Sequence, residues 1–287
     1  MVGGSIDINN YLTIEALEDG LTASLSDNLC EYCVDGNGNW KSLEAGTATE
    51  SINAGHRLSF RGNVIPVVYD GIGTFTISKK CNLEGNCMSM LFGDNAADNL
   101  SLSGKDYAFY KLFNSCTKIV SVSNNFLPAT TLALYCYYSM FYGCSSLTTA
   151  PDLPATTLTS WCYYSMFRGC TSLTTAPALP ATSLANYCYS NMFQYCSSLT
   201  TAPVLPATRL ASNCYQSMLY DCKKLNYIKM LATDISATDC LYYWVSGVAS
   251  TGMFVRASAM TSLPTGTSGI PSGWTVMENG HQGGGAD

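Results

Sequence analysis

The sequence predicts an α/β repeat solenoid with a period of about 26 residues, preceded by a small antiparallel β domain and closed by a β-rich C-terminal cap. The first observation behind this prediction is that cysteines recur every 26 residues in two series, each within the same apolar pattern. The second is that the segments on either side of the repeats have a different, strand-like pattern. The first cysteine series is Cys136, Cys162, Cys188, Cys214 and Cys240, and the second is Cys144, Cys170, Cys196 and Cys222.

Shifts in composition divide the chain into four predicted parts. Residues 1–95 are expected to form the N-terminal antiparallel β domain, and residues 96–247 the repeat solenoid. Residues 248–278 are polar and turn-rich, which suits the cap that a stack of repeats needs at its end. The glycine-rich residues 279–287 are expected to be a disordered tail.

The N-terminal domain is predicted from short alternating segments that are separated by turn residues. These segments are YLTIEAL, LTASL, HRLSFRG, VIPVVYD and GTFTISKK. Among them, CEYCVDGNGNWKSL is typical of a hairpin with a Gly/Asn-rich turn. It also resembles an Asp-box hairpin, and the matching residues here are Asp35 and Trp40. In that motif the Asp bonds the turn and the Trp packs beneath it, so the resemblance implies a structural role.

Each repeat is predicted to contain one short helix and one short extended segment. Leu158, Cys162 and Met166 stand at i, i+4 and i+8, which is the spacing of one stripe of a helix. Gly169 is placed to end that helix in a left-handed turn. The following SLTTAPALP is rich in threonine and broken by proline, which predicts a short strand. A single repeat buries too little apolar surface to fold alone, so the repeats must stack.

The cysteines of the repeats are expected to be reduced and buried as small apolar core residues. Two cysteines eight residues apart along a helix lie too far from each other for a disulfide. Disulfides between neighbouring repeats are the alternative, although they would pair unevenly in a series of five. In the N-terminal domain, four cysteines could form a zinc site, two buried pairs of cysteines or one disulfide, and the sequence leaves these alternatives open. The four cysteines concerned are Cys30, Cys33, Cys81 and Cys87.

Charge and hydropathy exclude several classes of partner. The net charge is −6 and no basic stripe occurs, which argues against nucleic acid as a partner. No segment approaches the length of a membrane span, so membrane insertion is not expected. The first residues, MVGGSIDINN, lack the features of a signal peptide. His56 is far in sequence from any candidate nucleophile, so the chain is expected not to be an enzyme, with no catalytic residue, cofactor or metal.

Positions that vary between copies of the repeat are the candidate binding residues. The core positions barely change, whereas these positions carry Tyr, Trp, Arg and Gln. That composition is similar to that of a paratope, in which rigid amphipathic rings supply contact area. The alternative is that the tyrosines only cover the outer side of the predicted helices and are half buried there. The predicted ligand-binding residues are Tyr135, Trp161, Tyr187, Tyr138, Tyr164, Tyr142, Arg168, Gln194 and Tyr220.

A resemblance to a known family lies in the repeat unit, whose consensus is MFxGCxSLTTAPxLPATxLxxxCYYS. Over residues 107–245 this unit resembles the BspA-like leucine-rich repeats of gut Bacteroidetes and their phages. The resemblance implies a right-handed, curved solenoid of the leucine-rich-repeat type and a binding or adhesion role.

The expected function is a non-enzymatic binding or adhesion protein. It would present a Tyr/Trp-rich surface to a host-surface glycan or protein, from a phage virion as a receptor-binding component, or from the cell surface. Other virion proteins or a homo-oligomer are further expected partners. The alternative is a purely structural virion decoration or assembly protein.

Overall fold

The computed structural model describes residues 4–280, and their regular structure is mostly β. The strands are β1 (Leu12–Ala16), β2 (Ala23–Leu25), β3 (Cys30–Val34), β4 (Lys41–Leu43), β5 (Arg57–Arg61), β6 (Phe75–Ile77), β7 (Cys81–Gly85), β8 (Ile119–Val122), β9 (Tyr227–Met230), β10 (Met253–Arg256) and β11 (Thr275–Glu278). A six-stranded sheet has the order β4-β3-β5-β1-β7-β8, a three-stranded sheet has the order β11-β10-β9, and β2 pairs with β6. One α-helix, α1, spans Ser89–Phe92, and 3₁₀ turns lie at Ile8–Asn10, Gly93–Asp98 and Asn124–Phe126.

The N-terminal sheet contains most of the strands that the sequence predicts. Four of the five alternating segments contain β1, β2, β5 and β6, and the pairs among β1 to β7 are antiparallel. The predicted hairpin is also present, because β3 pairs with β4. The segment VIPVVYD is different: it forms an exposed tight turn that is closed by a bridge between Val67 and Gly71. The turn leaves four large apolar side chains, from Ile65 to Tyr69, in solvent.

The prediction of an α/β repeat solenoid is wrong. Within residues 4–280 the one α-helix has four residues and lies before the repeats, at Ser89–Phe92. None of the predicted repeat helices forms in this part of the chain; each predicted helical segment is a run of consecutive turns. The leucine-rich-repeat architecture that accompanied the prediction fails for the same reason, since a β-rich, nearly helix-free fold conflicts with it.

The reason lies in the backbone of each repeat. Trp161, Ser165 and Gly169 have φ of 63°, 52° and 76°, so every fourth residue is left-handed and interrupts a right-handed helix. Alternate N–H groups between them donate to the next repeat, as Phe167 N–H does to the Met192 carbonyl at 2.9 Å. The intervening N–H groups close tight turns within the repeat. The spacing of four residues is therefore real, but four-residue turns produce it.

The repeats join the two main sheets through one series of backbone bridges. Strand β8 bridges to Thr149, which bridges in parallel to Thr175, then to Thr201, and from there to Tyr227 in β9. Strands β9, β10 and β11 continue the series in parallel. Bridged backbones lie about 4.8 Å apart, so equivalent residues of successive repeats stack directly over one another.

Stacked side chains fill the core beneath these bridges. One column of buried rings runs through the repeats with centroids 5.6–6.4 Å apart, and a second has spacings of 5.4–5.7 Å. The second column begins at Phe75 of β6, so the N-terminal strands and the repeats share one core. The first column is Phe109, Tyr137, Tyr163, Tyr189, Tyr215 and Trp244, and the second is Phe75, Phe113, Phe141, Phe167 and Phe193.

All fourteen cysteines are buried and free, as the sequence predicts for those of the repeats. The second cysteine of each repeat also has a hydrogen-bonding role. Cys170 Sγ donates to the Phe141 carbonyl at 3.2 Å, and Cys196 Sγ donates to the Phe167 carbonyl at 3.1 Å. A thiol here is both a small apolar filler and a donor that ties one repeat to the preceding one.

The C-terminal strands close the stack. Strand β10 lies between β9 and β11 in register, with Phe254 paired to Ile228 and Val276. The indole N–H groups of Trp244 and Trp274 donate to the carbonyls of Gly269 and Ala249 at 2.9 and 2.7 Å. Of the predicted disordered tail, residues 281–287 lie outside the described residues.

Candidate functional site

Two columns of partly exposed aromatic rings run side by side along the repeats. In the first column, Tyr135 stacks on Trp161 at 5.8 Å between centroids, and Trp161 stacks on Tyr187 at 3.9 Å. In the second column, Tyr138 stacks on Tyr164 at 4.6 Å. All five residues were predicted as ligand-binding, and the structure brings them together. We call these two columns the aromatic surface.

The turn conformation of the repeats positions the first column. Its members occupy the left-handed position of each repeat, and φ is 56° at Tyr135, 63° at Trp161 and 58° at Tyr187. Because equivalent residues of the turns stack, their rings are nearly parallel, at 14° and 8°. The columns also contact each other, since Trp161 lies 5.0 Å from Tyr164 and is tilted by 49°.

Sequence reasoning missed three tyrosines that extend the columns toward the N-terminal sheet. Tyr107 stacks on Tyr135 at 4.6 Å, and Tyr110 stacks on Tyr138 at 4.9 Å. The exposed Tyr69 packs edge-on against Tyr107 at 5.2 Å. Burial, together with the hydrogen bond to Tyr69, raises the pKa of Tyr107 to about 12.

A signal for two of these three tyrosines was present in the sequence. Tyr107 and Tyr110 precede Tyr135 and Tyr138 by 28 residues, because the first copy carries two additional residues. Tyr69 belongs to the N-terminal part of the chain, and no repeat indicates its position.

Stacking determines which part of each ring is accessible. Tyr135, Trp161, Tyr187, Tyr138 and Tyr164 are all of intermediate exposure. Tyr135, Trp161 and Tyr138 have a stacked ring on both faces, whereas Tyr187 and Tyr164, at the ends of the columns, have one on a single face. An aromatic edge bears the positive part of the ring quadrupole. Along most of its length the aromatic surface therefore offers weakly positive ring edges more than flat apolar faces.

The remaining predicted residues form a cluster beside the second column. The Arg168 guanidinium lies 5.5 Å from the centroid of Tyr142 and 5.4 Å from that of Tyr195. Tyr195 in turn meets Tyr220 edge-on at 5.7 Å. Gln194 is 8% exposed, so it contributes to the packing of the cluster more than to an open surface.

Tyr195 is another residue that sequence reasoning missed. It stands where the preceding repeats have Gly143 and Gly169, and it keeps their left-handed backbone with φ of 64°. The glycines at this position predict a helix end, which gives no indication of a binding side chain there.

The ring stacking of the two columns is interrupted in the later repeats. After Tyr187 the first column continues with Asn213, which is buried, and after Tyr164 the second continues with Ser190 and Gln216. The aromatic surface is thus confined to the half of the repeat stack that adjoins the N-terminal sheet.

A second polar constellation lies on the N-terminal sheet. His56 Nδ1 is 2.6 Å from Asp35 Oδ2, and Asp35 Oδ1 accepts the Arg57 N–H at 2.9 Å. Although burial acts to raise it, hydrogen bonds from His56 and Arg57 hold the pKa of Asp35 below its usual value. Among residues 4–280, no Ser, Thr or Cys side chain is hydrogen-bonded to His56.

The Asp-box residues hold the N-terminal sheet together in this structure. Asp35 bonds His56 and the backbone of Arg57 instead of the turn of its own hairpin. Trp40 packs between Tyr11, at 5.1 Å, and the Arg61 guanidinium, at 4.2 Å.

Residues 4–280 contain no group of three or more His, Cys, Asp or Glu side chains arranged to hold a metal ion. In the same range, no helix has the length and apolar character needed to cross a membrane.

Comparison of the chain with protein-family models, with curated proteins and with solved structures finds no match. The resemblance to BspA-like proteins is not tested by these comparisons and stays a prediction.

Proposed function

We propose that the protein is a non-enzymatic binding or adhesion protein that engages a host-surface glycan or protein through the aromatic surface. The observation that carries this proposal is the pair of adjoining ring columns, which contact each other at Trp161 and Tyr164. Stacked rings cost little conformational entropy on binding, because neighbouring repeats already fix them. A virion or a cell surface is the proposed location.

The repeats supply matched variants for testing this function. Trp161→Asn introduces the residue that the chain itself uses at the equivalent Asn213, where φ is 56°. Tyr164→Ser introduces the residue of the equivalent Ser190. Neither change asks the backbone to adopt a new conformation, since Asn tolerates the left-handed region.

The control lies on the extended segment of the repeat. Val204 is 48% exposed and stands where an earlier copy has Asp152, so Val204→Asp is a surface change outside the aromatic surface. The measurement is retention of the purified protein on whole bacterial cells and on an array of neutral and acidic polysaccharides. We expect both aromatic variants to lose most of the retention while Val204→Asp keeps it. Equal retention of all three would show that the aromatic surface does not bind.

A structural or assembly role is the second candidate, and one specific observation favours it. The turn beside Tyr107 exposes Ile65 by 76%, Val68 by 60% and Tyr69 by 66%. A contiguous apolar patch on a surface turn is typical of protein contacts. The test is replacement of Ile65 and Val68 by Ser. Loss of self-association or of particle incorporation, with cell and polysaccharide retention unchanged, would favour this role.

A further inference from the structure

Arg168 differs from the other arginines of the chain in lacking a carboxylate partner. Arg57 and Arg61 have carboxylate oxygens at 2.6 and 2.8 Å, and Arg209 and Arg256 have them at 3.4 Å. Within residues 4–280, no carboxylate lies within 4.0 Å of Arg168. A guanidinium with no carboxylate partner within the protein can pair with an anion from outside.

The surroundings of Arg168 hold its side chain in place. The guanidinium lies close to two rings, 5.5 Å from the centroid of Tyr142 and 5.4 Å from that of Tyr195, which restricts its orientation. The Arg168 Nε atom and the Gln194 Oε1 atom are both buried without a hydrogen-bond partner. The residue as a whole is of intermediate exposure. A planar guanidinium edge is suited to paired hydrogen bonds with a carboxylate or a sulfate.

Arg168 adjoins the aromatic surface through the turns of its own repeat. It stands four residues, one turn, after Tyr164, just as Tyr142 stands one turn after Tyr138. On the same surface, Lys111 Nζ lies 4.9 Å from the Tyr110 centroid. Within the described residues, Lys111 also has no carboxylate within 4.0 Å. The outward ring edges add weakly positive potential to these two cations.

The form of the surface indicates the class of molecule that carries the anion. Both faces of Trp161 are covered by stacked rings, which leaves less ring face for the dry, apolar centre typical of a protein interface. The ring edges instead recur at the spacing of the repeats, about 4.8 Å. A polysaccharide is also polar and also repeats along its length.

We propose that the ligand of the aromatic surface is an acidic polysaccharide whose carboxylate or sulfate groups pair with Arg168. This inference rests on the proposed function and names its ligand class. The groups expected to contact the polymer are Arg168, Lys111 and the edges of the two ring columns.

The experiment uses the full chain and four immobilised polymers. Polygalacturonate and its methyl ester differ only in whether the carboxylates are free, and dextran sulfate and dextran differ only in the sulfates. The variant is Arg168→Gln, which introduces the residue of the equivalent Gln194. The matched control is Arg209→Gln, which removes the same charge from a side chain that is 83% exposed and paired with Asp234. Thermal melts establish that both variants are folded.

We expect retention on one anionic polymer and not on its neutral counterpart, and the pair that responds identifies carboxylate or sulfate as the group. Arg168→Gln should weaken that retention by about tenfold or more, whereas Arg209→Gln should leave it unchanged. Equal retention on charged and neutral polymers, or an Arg168→Gln variant that binds like the parent, would overturn the inference.

Other outcomes separate this inference from the proposed function. Cell binding that is lost in Trp161→Asn, together with no retention on any of the four polymers, would overturn the acidic polysaccharide and leave the binding function standing. In that case a surface protein becomes the ligand to pursue. Absence of binding to cells and to all polysaccharides would overturn both.

Discussion

Trp161 and Tyr187, which are 26 residues apart in the chain, stack with their ring centroids 3.9 Å apart and their planes within 8°. Tyr135 covers the other face of Trp161 at 5.8 Å. Each of these residues is left-handed, so the contact depends on a backbone that few non-glycine residues adopt. The same residues are therefore candidate binding groups and part of the packing that holds the repeats in register.

This double role changes what truncation of Trp161 should do. The sequence alone predicts a surface residue whose removal costs little stability, within about ±0.5 kcal/mol. Since two stacked neighbours lose a partner, we instead expect Trp161→Ala to reduce the free energy of unfolding by about 1–3 kcal/mol. The measurement is chemical denaturation, with Leu158→Ala as the core control expected to lose about 2–5 kcal/mol. A Trp161→Ala variant as stable as the parent would mean that the stack contributes nothing.

The buried thiols predict a loss of stability at alkaline pH. Burial raises the pKa of Cys162 and of Cys196 to about 12. An unfolded thiol titrates near pH 8.5, so the folded state binds more protons above that pH. The contribution of these thiols to the stability of the folded state is therefore complete below about pH 8.5, and it declines as the pH rises toward 12.

The size of the alkaline effect makes it measurable. Each such thiol lowers the free energy of unfolding by about 1.4 kcal/mol for every pH unit above the pKa that it has in the unfolded chain. The chain has fourteen buried thiols, whereas a typical folding free energy is only about 5–15 kcal/mol. Thermal melts between pH 7 and 10.5 should show a steep fall above pH 9. A flat profile over this range would contradict the burial of the thiols.

Thiol labelling gives an independent measurement of the same burial. We expect none of the fourteen cysteines to react rapidly with a thiol reagent at pH 8 in the native protein, and all of them to react after denaturation. Rapid native labelling of most thiols, or fewer than nine reactive thiols from the repeats after denaturation, would contradict this expectation.

The left-handed turns can be tested at Ser165, which is 2% exposed and has φ of 52°. Valine is branched at Cβ and disfavours this region, so Ser165→Val should cost about 1–2 kcal/mol or more. Ser165→Asn, which introduces the residue of the equivalent Asn191, should cost less because Asn tolerates the conformation. Urea denaturation of the two variants compares them. A valine variant at least as stable as the asparagine variant would argue against the turn geometry.

Metal removal tests the four cysteines of the N-terminal part. The sequence leaves zinc open for Cys30, Cys33, Cys81 and Cys87, and the structure buries all four as free thiols. We expect the melting temperature to be unchanged by a strong chelator, and metal analysis to find less than one zinc per chain. Loss of structure on chelation would show that a metal organises these residues.

The repeat period, most of the N-terminal strands and the positions that fill the core could be predicted from the amino-acid sequence. Met166 and its copies are fully buried, as their invariance between repeats predicts. The alternation of the early segments predicted strands such as β1 and β5, because a strand needs only a local pattern of period two.

The form of the repeat and the extent of the candidate site depend on tertiary contacts, which no local pattern contains. A spacing of four residues satisfies both a helix and a run of four-residue turns, and the choice depends on where the N–H groups find partners. For Phe167 the partner is the carbonyl of Met192, which lies in the next repeat and outside any local window. The same stacking brought Tyr107 and Tyr195 to the predicted residues, since a ring column exists only when successive turns are placed one on another. Tyr69 reaches Tyr107 through the packing of the N-terminal turn against the first repeat.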